Sequence, residues 1–261
     1  MVQRRQRERQ AAQAVAGFVS EPVRVTLEDG LVLFAPRGDS AVVDPILEAR
    51  YELNELDFVC ASVRPGDAVV DLGAHIGAYA LRLARLVGPS GHVTAVEPSR
   101  THVELLRQSV AANGFGSWTD VVHSAASNVN ANGWLRHPSP GSSSAHSWLD
   151  ERPANDGESV RTIRIDELVD GTLHFIKADV EGAEGLALRG ARGILKRDRP
   201  TLLVELHPRL LPVVSGETPA SLIAWLCAFG YECRLLGAGR PGEPISDTPS
   251  NGVTSAVFLP K

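Results

Sequence analysis

The stretch Asp71-Leu72-Gly73-Ala74-His75-Ile76-Gly77 decides how this chain folds. Before it, Ala68 to Leu72 is a short apolar run, suited to a strand buried on both faces. After it, Ala78 to Val87 has helical spacing and stops at Gly88-Pro89-Ser90-Gly91. Strand, glycine turn and helix in that order open a βαβ fold. Gly73 permits a tight turn or a positive φ, and Gly73 and Gly77 let a ligand and the helix approach the backbone. Twenty residues after Gly77, at the end of a second strand from His92 to Val96, stands Glu97. A carboxylate there can accept hydrogen bonds from both hydroxyls of a ribose. Taken alone, Glu97 also suits a surface acid at a helix start. The turn lacks the full G-x-G-x-x-G that shapes a pyrophosphate site. Asp71 would repel a phosphate but favour an amino group or a sulfonium. The stretch therefore points to a nucleoside cofactor without a pyrophosphate.

The βαβ rhythm continues outward from this motif. Thr101 and Glu104 have capping-box spacing, and the helix they open stops at Asn113-Gly114. Asp120 to Ser124 reads as a third strand and Leu173 to Val180 as a fourth. Ala183 to Leu195 reads as one helix and Pro200 to Leu206 as a fifth strand. Thr218-Pro219 is an N-cap with proline at the first helical position, and Gly230 is the stop. Tyr231 to Leu236 and Ala256 to Leu259 close the chain as strands with a polar turn region between them. Two closing strands without a helix between them predict an antiparallel edge. Ahead of the motif, Val23 to Phe34 reads as a hairpin turning at Glu28-Asp29-Gly30. Pro45 to Val63 reads as a helical segment ended by Pro65-Gly66-Asp67. The segment from Asn128 to Ser159 is rich in Ser, Pro, Gly and Asn and reads as a long loop or a hairpin with a mobile tip. Its Trp134, His137, His146 and Trp148 suit either an acceptor-pocket wall or a solvated insertion. The expected domains are residues 1–63, an arm, hairpin and helical lid packed on the core, and residues 64–261, a Rossmann-like unit.

Composition excludes several classes. The net charge of -5 gives no reason to expect a nucleic-acid partner, which needs a basic surface. No apolar run reaches the roughly 18 residues a membrane helix needs, so no membrane is expected. Cys60, Cys227 and Cys233 have no metal-ligand spacing and read as free thiols of a cytoplasmic protein. The N-terminal Met1 to Gly17, with Arg4, Arg5, Arg7 and Arg9, lacks the apolar core of a signal peptide.

Three stretches of the sequence carry a family resemblance. Asp71 to Gly77 resembles the glycine loop of class I methyltransferases. Phe175-Ile176-Lys177-Ala178-Asp179-Val180-Glu181-Gly182-Ala183-Glu184 resembles the signature of the FkbM family of S-adenosylmethionine-dependent methyltransferases, and Val204-Glu205-Leu206-His207-Pro208 that family's next strand. The resemblance runs from about Tyr51 to the C-terminus. It implies a doubly wound, mostly parallel seven-stranded sheet with an antiparallel edge strand. It also implies S-adenosylmethionine as methyl donor and a hydroxyl on a small molecule, a natural product or a sugar, as acceptor. Cofactor contacts are then expected from Glu52, Asp71, Gly73, Ala74, His75, Gly77, Glu97, Pro98, Ser99, Ala125, Ala126 and Asp179. His75 departs from the family, which usually has Asn there. Ser124-Ala125-Ala126-Ser127 lacks the acid that many class I enzymes offer to adenine, so backbone groups must serve.

Residues two apart in an extended segment share a face. Asp179 with Glu181, and Glu205 with His207, are thus expected to meet Tyr51 and Glu52 at the carboxyl ends of the strands. His207 or Asp179 is the expected base, and Glu181 the expected orienting group. The bland alternatives are a Lys177–Asp179 ion pair, Glu181 as a helix cap, and His207 as turn chemistry. Asp179 and Glu205 are the candidates for a divalent cation such as Mg²⁺, an assignment not favoured because no dense carboxylate cluster accompanies them. N-methylation, a nicotinamide-dependent oxidoreductase and a cofactor-binding module without transfer activity are the rival functions. A homo-oligomer is compatible with the sequence.

Overall fold

Along the first core strand, Val70 and Leu72 face one way, and Val69 and Asp71 the other. The rest of the fold is organised by that alternation. The computed structural model describes residues 22–37, 43–47, 51–136, 148–150, 157–248 and 252–261. The arm at Met1 to Gly17, His137 and His146 lie outside them.

The elements run in chain order as follows. A hairpin of β1 (Val23–Thr26) and β2 (Val32–Ala35) precedes α1 (Val43–Leu47) and α2 (Leu53–Ser62). Then come β3 (Ala68–Leu72), α3 (Ala80–Val87), β4 (His92–Glu97), α4 (Arg100–Ala112) and β5 (Thr119–His123). A side sheet follows, of β6 (Ala125–Ala126), β7 (Asn132–Arg136), β8 (Trp148–Asp150) and β9 (Glu158–Ile163). The chain returns through β10 (Phe175–Ala178), α5 (Glu184–Arg189), α6 (Arg192–Arg197), β11 (Thr201–Leu206), α7 (Leu211–Val214) and α8 (Pro219–Cys227). It closes with β12 (Tyr231–Gly237), β13 (Arg240–Pro244) and β14 (Thr254–Pro260).

Among the described residues the main sheet has eight strands, in the order β13-β12-β14-β11-β10-β3-β4-β5. The five from β11 to β5 are parallel. β14 runs antiparallel and inserts between β11 and β12, while β13 folds back on β12 as the eighth strand. The polar turn expected between the closing strands thus supplies an edge strand of its own. From β3 the chain steps outward to β5, then returns to β10 on the other side of β3. The strand order reverses there, and such a reversal opens a crevice beyond the carboxyl ends.

Both faces of the sheet are covered. Val70, Leu72, Ile176, Ala178, Leu202 and Val204 pack with α5, α6 and α8. Val69, Phe175, Leu203 and Val257 pack with Phe58 and Val59 of α2 and Leu83 of α3. The hairpin docks on α4 through side chains. Ser109 Oγ accepts from Phe34 N at 2.9 Å, and Asn113 exchanges two hydrogen bonds with Val32.

Three helix boundaries differ from the sequence reading. The segment at Pro45 to Val63 is two helices, broken where Glu52 takes a left-handed conformation at φ 42°. The segment at Ala183 to Leu195 breaks at Gly190-Ala191, because the Asp166 carboxylate accepts from Gly193 N and Ile194 N and caps a new helix. The Thr101–Glu104 box does not form. Its helix starts earlier, after Ser99, and Glu158 from β9 accepts from Arg100 N at 3.0 Å.

Gly190 is a clean test of this packing. Its backbone suits any residue, but an added Cβ would lie 2.0 Å from the Ser127 carbonyl oxygen. Gly190→Ala should cost about 1–3 kcal/mol, as overpacking does, and lower Tm by several degrees in a thermal melt. Gly116→Ala, which meets nothing within 4 Å, should leave Tm nearly unchanged.

Candidate active site

The face of the sheet beneath α2 and α3 is apolar at its amino end and ionic at its carboxyl end. The register makes it so. Lys177 lies opposite Asp71 on one side and Leu203 on the other, and side chains so paired share a face. Two residues on, Asp179 and Glu205 extend the same rows past the strand ends. Lys177 is 5% exposed and Asp71 fully buried. The Lys177 ammonium lies 3.1 Å from Asp179 Oδ2, 3.8 Å from Asp71 Oδ1 and 4.7 Å from the Tyr79 ring centre. Burial alone would lower the lysine's pKa. The charges of Asp179, Asp71 and Glu52 outweigh it and hold the ammonium well above its ordinary range.

Helix α2 brings the second row. The break at Tyr51-Glu52 turns both residues inward, and Tyr79 Oη donates to Glu52 Oε2 at 2.5 Å. Ser255 of β14 donates to Glu55 at 2.6 Å. Glu52, Glu55, Lys177, Asp179, Glu205 and Ser255 line one small cavity there. Burial, with the Asp179 charge, pushes the Glu205 carboxyl well up. Glu52 is raised by burial too, with Lys177 opposing and Asp179 adding.

The loop from β10 to α5 is the third element. Glu184 is fully buried, and its Oε1 accepts from Val180 N at 3.0 Å and Gly182 N at 3.2 Å. Glu181, between those two amides, is thereby held at φ 52°. Burial, then the neighbouring Asp179 and Glu184, pushes its carboxyl up to about 8. Glu181 does not cap the helix that follows, whose N-cap residue Ala183 makes no side-chain capping bond, and Glu184 ties the loop before it instead.

On the other side of β3 lies the glycine turn. Gly73 has φ +76°, and a Cβ there would sit 1.9 Å from the Asp179 carbonyl oxygen, so the turn and the β10 end touch. Gly77 at φ +103° makes room for Leu106 of α4. Glu97, 5% exposed, accepts from His75 N at 2.8 Å and from Ser99 N at 2.9 Å. His75 is at φ 49°, a region in which Asn and His are both enriched. That shared tolerance accounts for His standing where the resembling family usually has Asn. Ala125 and Ala126 are buried beside the end of β5, where Ser124 N donates to the Glu97 carbonyl.

His207 goes elsewhere. Its Nδ1 accepts from Arg209 N at 3.3 Å and Leu210 N at 3.2 Å, which commits that lone pair to the turn before α7. Among the described residues no group of three or more His, Cys, Asp or Glu is arranged to hold a metal ion. Asp179 has the Lys177 ammonium as its neighbour. Tyr79, Glu184 and His102 were not singled out from sequence. Tyr79, two residues past Gly77, and Glu184, three past Glu181, stood inside or beside quoted motifs.

A family model described as the methyltransferase FkbM domain matches residues 71–233, well over half of the chain. The chain belongs to the FkbM methyltransferase family. The fold of this FkbM-family chain is that of class I methyltransferases. A methyltransferase FkbM from Methylobacillus flagellatus KT is 20% identical with a TM-score of 0.50, over 84% of this chain and 53% of that one. A SAM-dependent methyltransferase from Aquifex aeolicus is 17% identical with a TM-score of 0.49, over 84% and 96%. TYW2 from M. jannaschii, in complex with AdoMet, is 14% identical with a TM-score of 0.48, over 91% and 84%. The FkbM-family chain spans about half the length of the first of these. No curated protein matches it. Among the described residues no helix is long and apolar enough to cross a membrane.

Asp71 makes a prediction about stability. Burial, opposed by Lys177 and reinforced by the charges of Asp179, Glu97 and Glu52, pushes its carboxyl from 3.8 up to about 6. A carboxyl with a raised folded pKa stabilises the fold fully below its unfolded pKa and loses that contribution as pH rises through the folded value. Asp71→Asn should therefore be more stable than wild type at pH 7, by up to about 3 kcal/mol. The gain should vanish below about pH 4 in denaturant titrations across pH.

Proposed function

We propose that this chain transfers a methyl group from S-adenosylmethionine to a hydroxyl of a small molecule. One observation carries the reading. Asp71, fully buried at the strand-order reversal, has no hydrogen-bond partner among the described residues on either carboxylate oxygen. A buried carboxylate left so is costly unless a cationic donor completes it. The α-amino group of the cofactor is such a donor, and the carboxylate field also favours a sulfonium. S-adenosylmethionine supplies an electrophilic methyl group on that sulfonium.

The chain's own residues do the rest. Glu97 accepts from ribose, with its carboxylate already fixed by His75 N and Ser99 N. Pro98, Ser99, Ala125 and Ala126 offer backbone groups to the adenine. Gly73, Ala74, His75 and Gly77 form the turn that lets the cofactor lie close to the backbone. Glu52, held by Tyr79, and Asp179, held by Lys177, border the methionine end. Most of the rate then comes from holding the acceptor oxygen in line with the methyl group, worth up to about 7–11 kcal/mol. An alcohol must also lose its proton. We assign that proton to Glu181, whose raised pKa lies near the working range a general base needs, with Asp179 orienting the acceptor. His207 is left the turn-forming role, because its Nδ1 lone pair faces backbone amides.

The acidic cavity of Glu52, Glu55, Asp179 and Glu205 favours a second reading, in which the acceptor carries an amine. A parallel screen of hydroxylated and amine-bearing acceptors separates the two. The acceptor's identity, a cytoplasmic location and a homo-oligomeric state belong to the same proposal.

Two measurements test it. Titration with S-adenosylhomocysteine in a calorimeter should show micromolar binding, weakened by about 1–3 kcal/mol in Glu97→Ala. No heat from folded wild type would remove the cofactor. With an acceptor in hand, Glu181→Gln should lower kcat by about 10²–10⁴-fold with cofactor affinity unchanged. The base works ionised, so wild-type kcat should rise with pH through an inflection near 8. The variant should lack that inflection. Equal kcat in wild type and variant would remove Glu181 from the chemistry.

A further inference from the structure

Two imidazoles, the half-buried His75 and the buried His102, lie beside Glu97 and have no part in the chemistry above. The rings of His75 and His102 are in tilted contact, with centroids 4.0 Å apart and planes inclined at 54°. His102, in the first turn of α4, is 5% exposed, and its Nδ1 lies 3.4 Å from Glu97 Oε1. An ionised carboxylate only accepts, so the Nδ1 that faces it carries the proton. Oε1 thus receives Ser99 N at 2.9 Å and His102 Nδ1, while among the described residues Oε2 receives only His75 N, at 2.8 Å. A carboxylate has about four acceptor positions. Three are taken here, one each by the glycine turn, the turn after β4 and helix α4.

We infer that His102 is a positioning residue for Glu97. It fills the remaining acceptor position on Oε1 and leaves the free one on Oε2, which faces the cofactor's ribose as a single directed acceptor. Its contact with His75 ties that orientation to the glycine turn, because the same His75 donates its N–H to Oε2. Turning the carboxylate about its last torsion breaks contacts to all three elements together. This inference rests on the reading of Glu97 as the ribose-binding acid.

S-adenosylhomocysteine affinity tests it, with a thermal melt of each variant. His102→Asn places an amide N–H donor close to where Nδ1 stands, and should bind within about threefold of wild type. His102→Ala and His102→Leu lack the donor, the latter keeping apolar bulk in the core. Both should bind about tenfold more weakly at similar kcat on any accepted substrate. In a Glu97→Ala background, His102→Ala should add no further loss, because the group it orients is gone. If His102→Ala does not fold, His102→Leu carries the comparison. Wild-type affinity in His102→Leu, or an undiminished His102 effect in the Glu97→Ala background, would overturn the positioning role while the cofactor reading stands. No binding by folded wild type would overturn both.

Discussion

The Lys177–Asp179 ion pair is the constraint on which the carboxyl edge of the sheet depends. Asp71, Asp179, Glu205 and Glu52 converge on one face, and each is buried or half-buried there. Like charges at such distances in a medium poorer than water repel by several kcal/mol. A single ammonium, at 3.1 Å from one carboxylate and 3.8 Å from another, keeps the cluster tolerable. It does not neutralise it. Burial first, and the remaining charge second, raise the Asp71, Glu181 and Glu205 carboxyls. Breaking a buried pair by removing one partner strands the other and is strongly destabilising. Lys177 therefore holds the fold and the carboxyl edge together, and it leaves that edge short of positive charge.

Backbone strain is concentrated at the same edge. Of the non-glycine residues with positive φ among the described residues, Glu52 lines the cavity, His75 stands in the turn after β3 and Glu181 in the loop after β10. A left-handed conformation costs such residues roughly 1–2 kcal/mol each. Every one of the three is over-determined by neighbours. Glu52 is held by Tyr79, His75 by its amide on Glu97, and Glu181 by the two amides that Glu184 binds on either side of it. Strain kept in place by surrounding contacts is characteristic of sites where side chains must point against the ordinary backbone direction.

The quoted motifs made much of this legible. The strand, glycine turn and helix at Asp71 to Gly77, the acid at Glu97 and the signature around Asp179 located the strand ends, because apolar runs and glycine turns are local signals. Other features were not local. The break at Glu52 was hidden inside an apparently helical segment, since it depends on a tyrosine from another helix. The Gly190 break depends on Asp166, and the start of α4 on Glu158. The pairing of Glu205 with His207 followed from strand periodicity, but β11 ends at Leu206, and beyond it the ring turns to the amides before α7.

The sequence by itself determined the alternation of the core strands and helices, the glycine turn and the residue types gathered at the strand ends. These follow from hydrophobic periodicity and turn chemistry, which act over a few residues. Tertiary structure alone decided how those residues are paired. The burial of Lys177 between two carboxylates, the insertion of β14 between β11 and β12, and the contact of His75 with His102 all join segments distant in the chain. Each depends on register and packing between elements, and no local pattern encodes them.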